Sequence, residues 1–226
     1  MAFFRQSWAI LKKDLVLELR TKEMLTSMFL FIVLAMIVFN YAFGSNVQDF
    51  TPLAAGMLWV AFVFTSLLGL NRSFVHEKDE ECLDGLLLCP VDRPVIFIAK
   101  AAGNFVFLSI VEVMAVPIFV IFFMKGVFPN LGWLALTIFL GNLGICGVGT
   151  LLATISVNTK ARDLMLPILF LPLAVPVLVA ATSATNHIFL SQESLVELYV
   201  WLRFMAVYDI IFLMVAYATY DFVIGE

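Results

Sequence analysis

A cluster of carboxylates lies between two strongly apolar runs of the sequence, in the stretch 71–89. If this stretch is helical, four carboxylates share one face at i, i+3, i+4, i+7 spacing. They belong to Glu77, Glu80, Glu81 and Asp84. The opposite face carries Val75, Cys82, Leu83 and Leu86. Anionic lipid would repel such a stripe, whereas a protein surface with basic groups would attract it. The pattern predicts a docking helix; the alternative is a solvated acidic face above a leucine patch that packs on the protein.

Two prolines follow the acidic stretch, at Pro90 and Pro94. Each disfavours helix in the residue before it, so the docking helix is expected to end near Cys89. A rigid turn should then precede the next apolar run, and we expect Pro90, Asp92 and Arg93 to fix it.

No catalytic motif accompanies these residues. The 226 residues contain no GxxxxGK[ST] phosphate-binding loop and no HExxH metal motif, so any ATP hydrolysis must come from another subunit. Neither histidine, His76 nor His187, is accompanied by a nucleophile motif, and none of the three cysteines stands in a CxxC pair. His187 is a candidate axial ligand for haem iron, although a lone loop histidine is more often a surface residue.

Two carboxyl groups lie inside apolar runs, at Glu112 and Asp209. An ionised side chain at such a position costs about 2.5–3.5 kcal/mol unless it is paired, neutral or hydrated, so each is a candidate functional residue. The alternative for both is a protonated or hydrogen-bonded carboxyl that fixes helix packing. Within this alternative, Asp209 could instead form an ion pair with nearby Arg203.

The elements that must position these residues are membrane-spanning helices. Hydrophobic residues make up 63% of the chain and charged residues 13%, and the mean hydropathy is +1.05. A polar-surfaced globule is hard to build from this composition. Six apolar runs reach the roughly 20 residues that one span needs. They cover 24–44, 52–70, 101–124, 131–157, 164–181 and 200–224. We therefore expect one all-α membrane domain over residues 1–226.

The basic residues lie almost entirely on one side of this arrangement. Alternating the connections between the two sides puts eleven of the 13 Lys and Arg residues on the side of the termini and only Lys125 and Arg203 on the other. The positive-inside rule then predicts that both termini are cytoplasmic. The net charge of −4 and the absence of a long basic run exclude nucleic acid as an expected partner.

The N-terminal segment, residues 1–23, is too polar to span the bilayer. Phe4, Trp8, Leu11, Leu15 and Leu19 recur at spacings of four, three, four and four, with basic residues to the side and back. This pattern is typical of an amphipathic helix in the membrane interface, acting as an anchor or as an elbow that transmits motion to the bundle.

Helix breakers and small residues concentrate in the fourth and fifth runs. Prolines at 167, 172 and 176 free backbone carbonyls, so the fifth span should be kinked and face protein or a cavity. Glycines at 141, 144, 147 and 149 should allow a neighbouring helix to approach the fourth span closely.

Several stretches resemble the CcmB family, the permease subunits of the cytochrome c maturation system, also called haem exporter protein B. The resemblance rests on 54–62 and 66–74, on 83–93, and on 169–176 followed by 180–184. It runs from the N-terminal helix to the last span. One departure is Glu81, where the family often has a glycine, which affects the local turn geometry of the docking segment.

The resemblance implies a six-span ABC-2 type permease in a bacterial inner membrane, with 71–100 as the cytoplasmic coupling segment. The implied partners are the ATPase subunit CcmA, the membrane proteins CcmC and CcmD and the haem chaperone CcmE. Glu77, Glu80, Glu81, Leu83, Asp84 and Leu86 would contact the ATPase. No cofactor is expected to be held tightly; haem would be a transported or handled ligand.

Three questions stay open at this stage. Haem either crosses this subunit, or the subunit conveys ATP-driven motion that releases the loaded chaperone. The alternatives are an ABC-2 exporter of another substrate and an assembly scaffold that transports nothing, with an intramembrane enzyme less favoured. A homodimer and a pairing with a related subunit are both compatible with the sequence.

Overall fold

The chain folds into α-helices throughout the part that the structure, a computed structural model, describes. It describes residues 2–43, 51–79, 92–123, 130–157, 159, 161–190 and 195–223, and the backbone alone at 2, 51–52, 75–79 and 162–163. Within these ranges there are seven helices and no strand. They are α1 (Ala2–Thr21), α2 (Glu23–Phe43), α3 (Thr51–Asp79), α4 (Arg93–Phe123), α5 (Leu131–Val157), α6 (Arg162–Phe189) and α7 (Leu195–Val223).

Six of these helices, α2 to α7, contain stretches long and apolar enough to cross a membrane. The prediction of an all-α membrane protein with six spans is confirmed, and the N-terminal helix α1 is separate from the first span. Several helices extend beyond the predicted runs. α3 continues past Leu70 to Asp79, and α4 begins at Arg93 rather than near Ala101. Arg93 is thus the first residue of a helix and not part of a turn. Pro94, the second residue, is tolerated because N–H groups in the first turn of a helix need no helical partner.

Helices α3 and α5 form the centre of the bundle. Of the 18 most apolar consecutive residues in each of these helices, 67% are buried, against 22% in α2 and 28% in α7. The predicted close approach at the α5 glycines is present, since a Cβ at Gly141 would overlap the ring of Trp59 on α3. Trp59 is itself fully buried and donates its indole N–H to Thr185 Oγ1 of α6 at 2.8 Å. A polar bond inside the core thus fixes which face of α3 meets α6.

The proline-rich helix α6 is continuous over Arg162–Phe189, with three prolines inside it. It packs on α3, α5 and α7. Pro172 nevertheless lies on the exposed side of the bundle, next to exposed Ile168 and Val175. The expectation that this span faces protein or a cavity therefore holds for only one of its sides.

Candidate functional site

The junction between α1 and α2 is a tight elbow. Lys22 has a φ of 57°, in the left-handed region, and its N–H donates to the Glu18 carbonyl at 2.7 Å. A non-glycine residue pays roughly 1–2 kcal/mol for this conformation. The Glu18 carboxylate compensates locally, because it accepts a bond from the Leu25 N–H at 2.9 Å in the first turn of α2. One glutamate thus helps to end α1 and to start α2.

Helix α1 is docked on α4 by a buried ion pair. Lys100 Nζ lies 2.7 Å from Asp14 Oδ2, and the two side chains are only 2% and 12% exposed. Asp14 also lies 3.2 Å from the ammonium of Lys13. Next to this pair, Leu11 passes close to the helix at Gly103, and Ile10 is buried. The face of α1 that carries Asp14 therefore contacts protein.

The predicted apolar face of α1 is divided between two surroundings. Phe4, Trp8 and Leu19 are exposed at 80%, 62% and 57%, as a helix at a membrane surface requires. Leu11 and Leu15 are partly buried. Helical spacing predicted one apolar face but could not show which of its residues another helix would cover. That depends on α4, which contacts α1 on the side of Asp14.

A second ion pair joins the start of α2 to the C-terminal part of α3. Arg72 Nη2 donates to Glu23 Oε2, and both side chains are well exposed, at 48% and 66%. Beyond Arg72 the α3 backbone stays helical to Asp79, so the acidic stretch begins as a direct continuation of a membrane helix.

These contacts line a cavity of about 130 Å³ where α1, α2, α3 and α4 meet. We call its charged residues the elbow cluster, and the side of the bundle that carries it the elbow face. The elbow cluster consists of Asp14, Glu18, Glu23, Arg72 and Lys100. Its contacts link residues up to 86 positions apart, and no spacing rule in the sequence indicated them.

Only some of the predicted docking residues lie in the part of the chain that the structure describes. Glu77 belongs to the helical backbone of α3, whereas Glu80, Glu81, Leu83, Asp84, Leu86 and Pro90 lie outside the described residues. Asp92 is exposed, and its carbonyl accepts from the Val95 N–H at 2.9 Å. Arg93 donates from Nη1 to the Asp221 carbonyl at 2.9 Å and so connects the start of α4 to the end of α7.

Inside the bundle, α4 and α5 are joined by two polar contacts eight residues apart. Asn104 donates to Thr150 Oγ1 at 3.1 Å, and Asn142 donates to Glu112 Oε2. All four side chains are buried. The amide contact is compatible with the packing alternative considered for Glu112, and its Oε1 has no partner among the described residues.

Asp209 is the less satisfied of the two intramembrane carboxyls. It is 2% exposed, and neither carboxyl oxygen has a hydrogen-bond partner within the described chain. The predicted ion pair with Arg203 is wrong, because six residues of helix place the two about 120° apart and Arg203 is exposed. Asp209 instead faces Gly144 of α5, where a Cβ would come within 2.5 Å of Oδ1.

His187 lies at the opposite end of the bundle from the elbow face. Its Nε2 is 3.1 Å from Glu197 Oε2, which joins the end of α6 to the start of α7, and its Nδ1 is buried without a partner among the described residues. Haem ligation through Nε2 would require that Glu197 move away. No group of three or more metal-ligating side chains occurs in the part of the chain that was searched.

Comparison with known proteins gives a consistent result. A family model described as CcmB protein matches residues 5–221. A relative from Rhodobacter capsulatus named Heme exporter protein B is 28% identical, over 76% of this chain and 78% of its own length. Proteins of the same name from Haemophilus influenzae and Escherichia coli K12 are 25% and 27% identical; the matches cover 77% and 79% of this chain and 78% and 81% of theirs.

Proposed function

Because the chain belongs to the CcmB family, we propose that it is the permease subunit of an ABC-type haem exporter complex. In this role it binds no nucleotide and converts the motion of a separate ATPase into movement of its membrane helices. The relatives named Heme exporter protein B support haem as the substrate class. The absence of a phosphate-binding loop from the sequence supports a separate source of ATP hydrolysis.

The observation that carries the proposal is the continuity of α3. One helix runs from the buried centre of the bundle at Trp59 to Asp79, where the acidic stretch continues. Displacement of that stretch by an ATPase would be transmitted directly to the central helix, since a continuous helix is stiff over this length. The exposed pair of Arg72 and Glu23 is the contact between α3 and α2 that would yield when this end of α3 moves.

The elbow face is proposed to be cytoplasmic, in a bacterial inner membrane. The described ends of α1 and α7 lie at this face, and eleven of the 13 basic residues belong to the segments on its side. The proposed partners are an ATPase of the CcmA type at the acidic stretch, together with CcmC-like and CcmD-like membrane proteins and a CcmE-like chaperone.

The docking assignment is tested by reversing the charge of the acidic stripe. Glu80, Glu81 and Asp84 are changed together to lysine in the full chain, coexpressed with its ATPase. We expect co-purification in mild detergent to be lost, because basic groups of the partner would then meet like charges. The control reverses Asp221, an exposed carboxylate on the same face outside the docking segment, and should retain the ATPase.

Two readouts separate the outcomes. Undiminished co-purification of the stripe variant, with normal insertion in the membrane, would refute the docking assignment. The substrate assignment is judged separately from the proteins retained by the unaltered chain. Enrichment of haem-handling partners supports the haem pathway, and their absence beside a bound ATPase would indicate export of another substrate.

A further inference from the structure

An apolar groove opens on the lipid-facing surface of the bundle, between α4, α5 and α7. Its volume is about 790 Å³, within the roughly 300–1,000 Å³ typical of small-ligand sites. Small residues on α4, Ala101 and Ala102, form part of its wall between the rings of Phe97 and Phe105. The opposite wall belongs to α7, from Leu213 to Ala218.

The α4 and α7 walls of the groove both lie in the half of the bundle nearer the elbow face. Its α4 wall covers the eight residue steps from Phe97 to Phe105, which is about 12 Å of helix. Half of a hydrocarbon core of about 30 Å is about 15 Å, so the groove matches the length available to an acyl chain of one leaflet. A partner's transmembrane helix would need a groove about twice as long.

Charged groups stand at the end of the groove nearest the elbow face. Arg93 lies one turn before Phe97 and is exposed, and its bond to the Asp221 carbonyl uses one of the five N–H donors of the guanidinium. Asp92 precedes it in sequence and is exposed, as is Asp221. None of the three lines the groove itself; their positions, four or five residues before Phe97 and three after Ala218, put one cation and two carboxylates at this end of it.

We propose that this groove binds one phospholipid of the adjoining leaflet, with an acyl chain between α4 and α7 and a zwitterionic headgroup at Arg93, Asp92 and Asp221. A headgroup that carries both a phosphate and a primary ammonium complements this mouth. The phosphate accepts hydrogen bonds from the guanidinium, and the ammonium donates to the carboxylates. A purely anionic headgroup, or the carboxylates of a haem, would be repelled by the two aspartates.

The bound lipid would close the gap between the start of α4 and the end of α7. In the described chain the Arg93 contact joins these two helices at the elbow face. The groove lies between them from about one turn further along α4. This binding does not depend on the substrate of the complex, so a test of the lipid site does not test the proposed function.

Native mass spectrometry of the full chain tests the site. The protein is released from nanodiscs that contain equal amounts of phosphatidylethanolamine and phosphatidylglycerol, and the lipids that remain bound are counted. We expect one phosphatidylethanolamine to be retained in preference. Arg93→Gln should reduce its retention about tenfold or more, since a hydrogen bond to a charged group contributes about 1.5–3 kcal/mol. The control Arg203→Gln, at an exposed arginine elsewhere on α7, should leave retention unchanged.

Two further variants probe the mouth and the groove. Asp92→Asn removes one carboxylate and should shift the preference toward phosphatidylglycerol. Ala102→Trp should fill the groove and expel the lipid, whereas Ala135→Trp, at an exposed position of α5 outside the groove, should not. Equal retention of the two lipids by the unaltered chain would overturn the proposal, as would displacement of the lipid by haem or by a second copy of the chain.

Discussion

The buried ion pair between Lys100 and Asp14 predicts how firmly α1 is held to the bundle. Its atoms are 2.7 Å apart, and the lysine side chain is 2% exposed. Removing one member of a buried pair costs about 3–5 kcal/mol, whereas replacing both by apolar residues is often close to neutral. We therefore expect each single variant to be destabilised more than the double variant.

The two single variants should also differ from each other. Asp14→Leu leaves the buried ammonium of Lys100 without its carboxylate. The free energy that holds α1 in place should fall by about 3 kcal/mol, the low end of the range above, because Lys100 has further contacts. Lys100→Met leaves Asp14 12% exposed and still 3.2 Å from the ammonium of Lys13, so about 1–2 kcal/mol is expected. The double variant should return to within about 1 kcal/mol of the unaltered protein.

Hydrogen exchange of the α1 amides measures this opening directly, with the α5 amides as an internal control. A loss of about 3 kcal/mol corresponds to an opening constant about 150-fold larger in Asp14→Leu. The refuting result is additivity: if the effects of the two single variants sum to that of the double variant, the pair does not hold α1 in place.

Three other substitutions test separate contacts. Gly141→Ala should reduce the stability by about 1–3 kcal/mol, because its methyl group overlaps the ring of Trp59. The control Gly132→Ala makes only an ordinary contact, 3.5 Å from Asn130 Oδ1, and equal melting temperatures of the two variants would contradict the packing account. Glu112→Leu should destabilise by about 1–3 kcal/mol by leaving its amide partner on α5 unpaired, and Glu112→Gln by less, as measured by denaturation in detergent. Arg72→Gln should change the stability by less than about 1 kcal/mol, since the pair is exposed, and should leave the response to ATP in the reconstituted complex intact; a weakened response would show that this contact itself transmits the motion.

The six spans could be predicted because hydropathy over about 20 residues is a local property. The continuity of the second span with the acidic stretch could not, nor could the start of α4, because a helix continues beyond the bilayer wherever its backbone bonds and contacts permit. Helix α3 proceeds nine residues past Leu70 to Asp79 through charged sequence, and α4 begins within a segment expected to form a turn. Hydropathy therefore located the membrane but not the helix boundaries.

The elbow cluster was beyond sequence reasoning for a different reason. Its contacts depend on which helices become neighbours, and Asp14 and Lys100 are separated by 86 positions. The one ion pair that the sequence did predict, between Arg203 and Asp209, failed because proximity along a helix is not proximity around it. Spacings of three or four residues bring side chains together, and a spacing of six does not.

The two ion pairs of the elbow cluster differ in a way that bears on the proposed coupling. Lys100 and Asp14 are buried, and separating them is costly, whereas Arg72 and Glu23 are exposed and their pair contributes little. A force applied through the acidic stretch to the end of α3 should therefore break the contact at Arg72 first, while α1 stays fixed to α4. The elbow would then act as a fixed support, and α3 as the part that slides against α2.

Cross-linking α3 to α2 through cysteines at Arg72 and Glu23 should block coupling, while a cross-link between Asp14 and Lys100 should preserve it; the reverse pattern would assign the motion to α1.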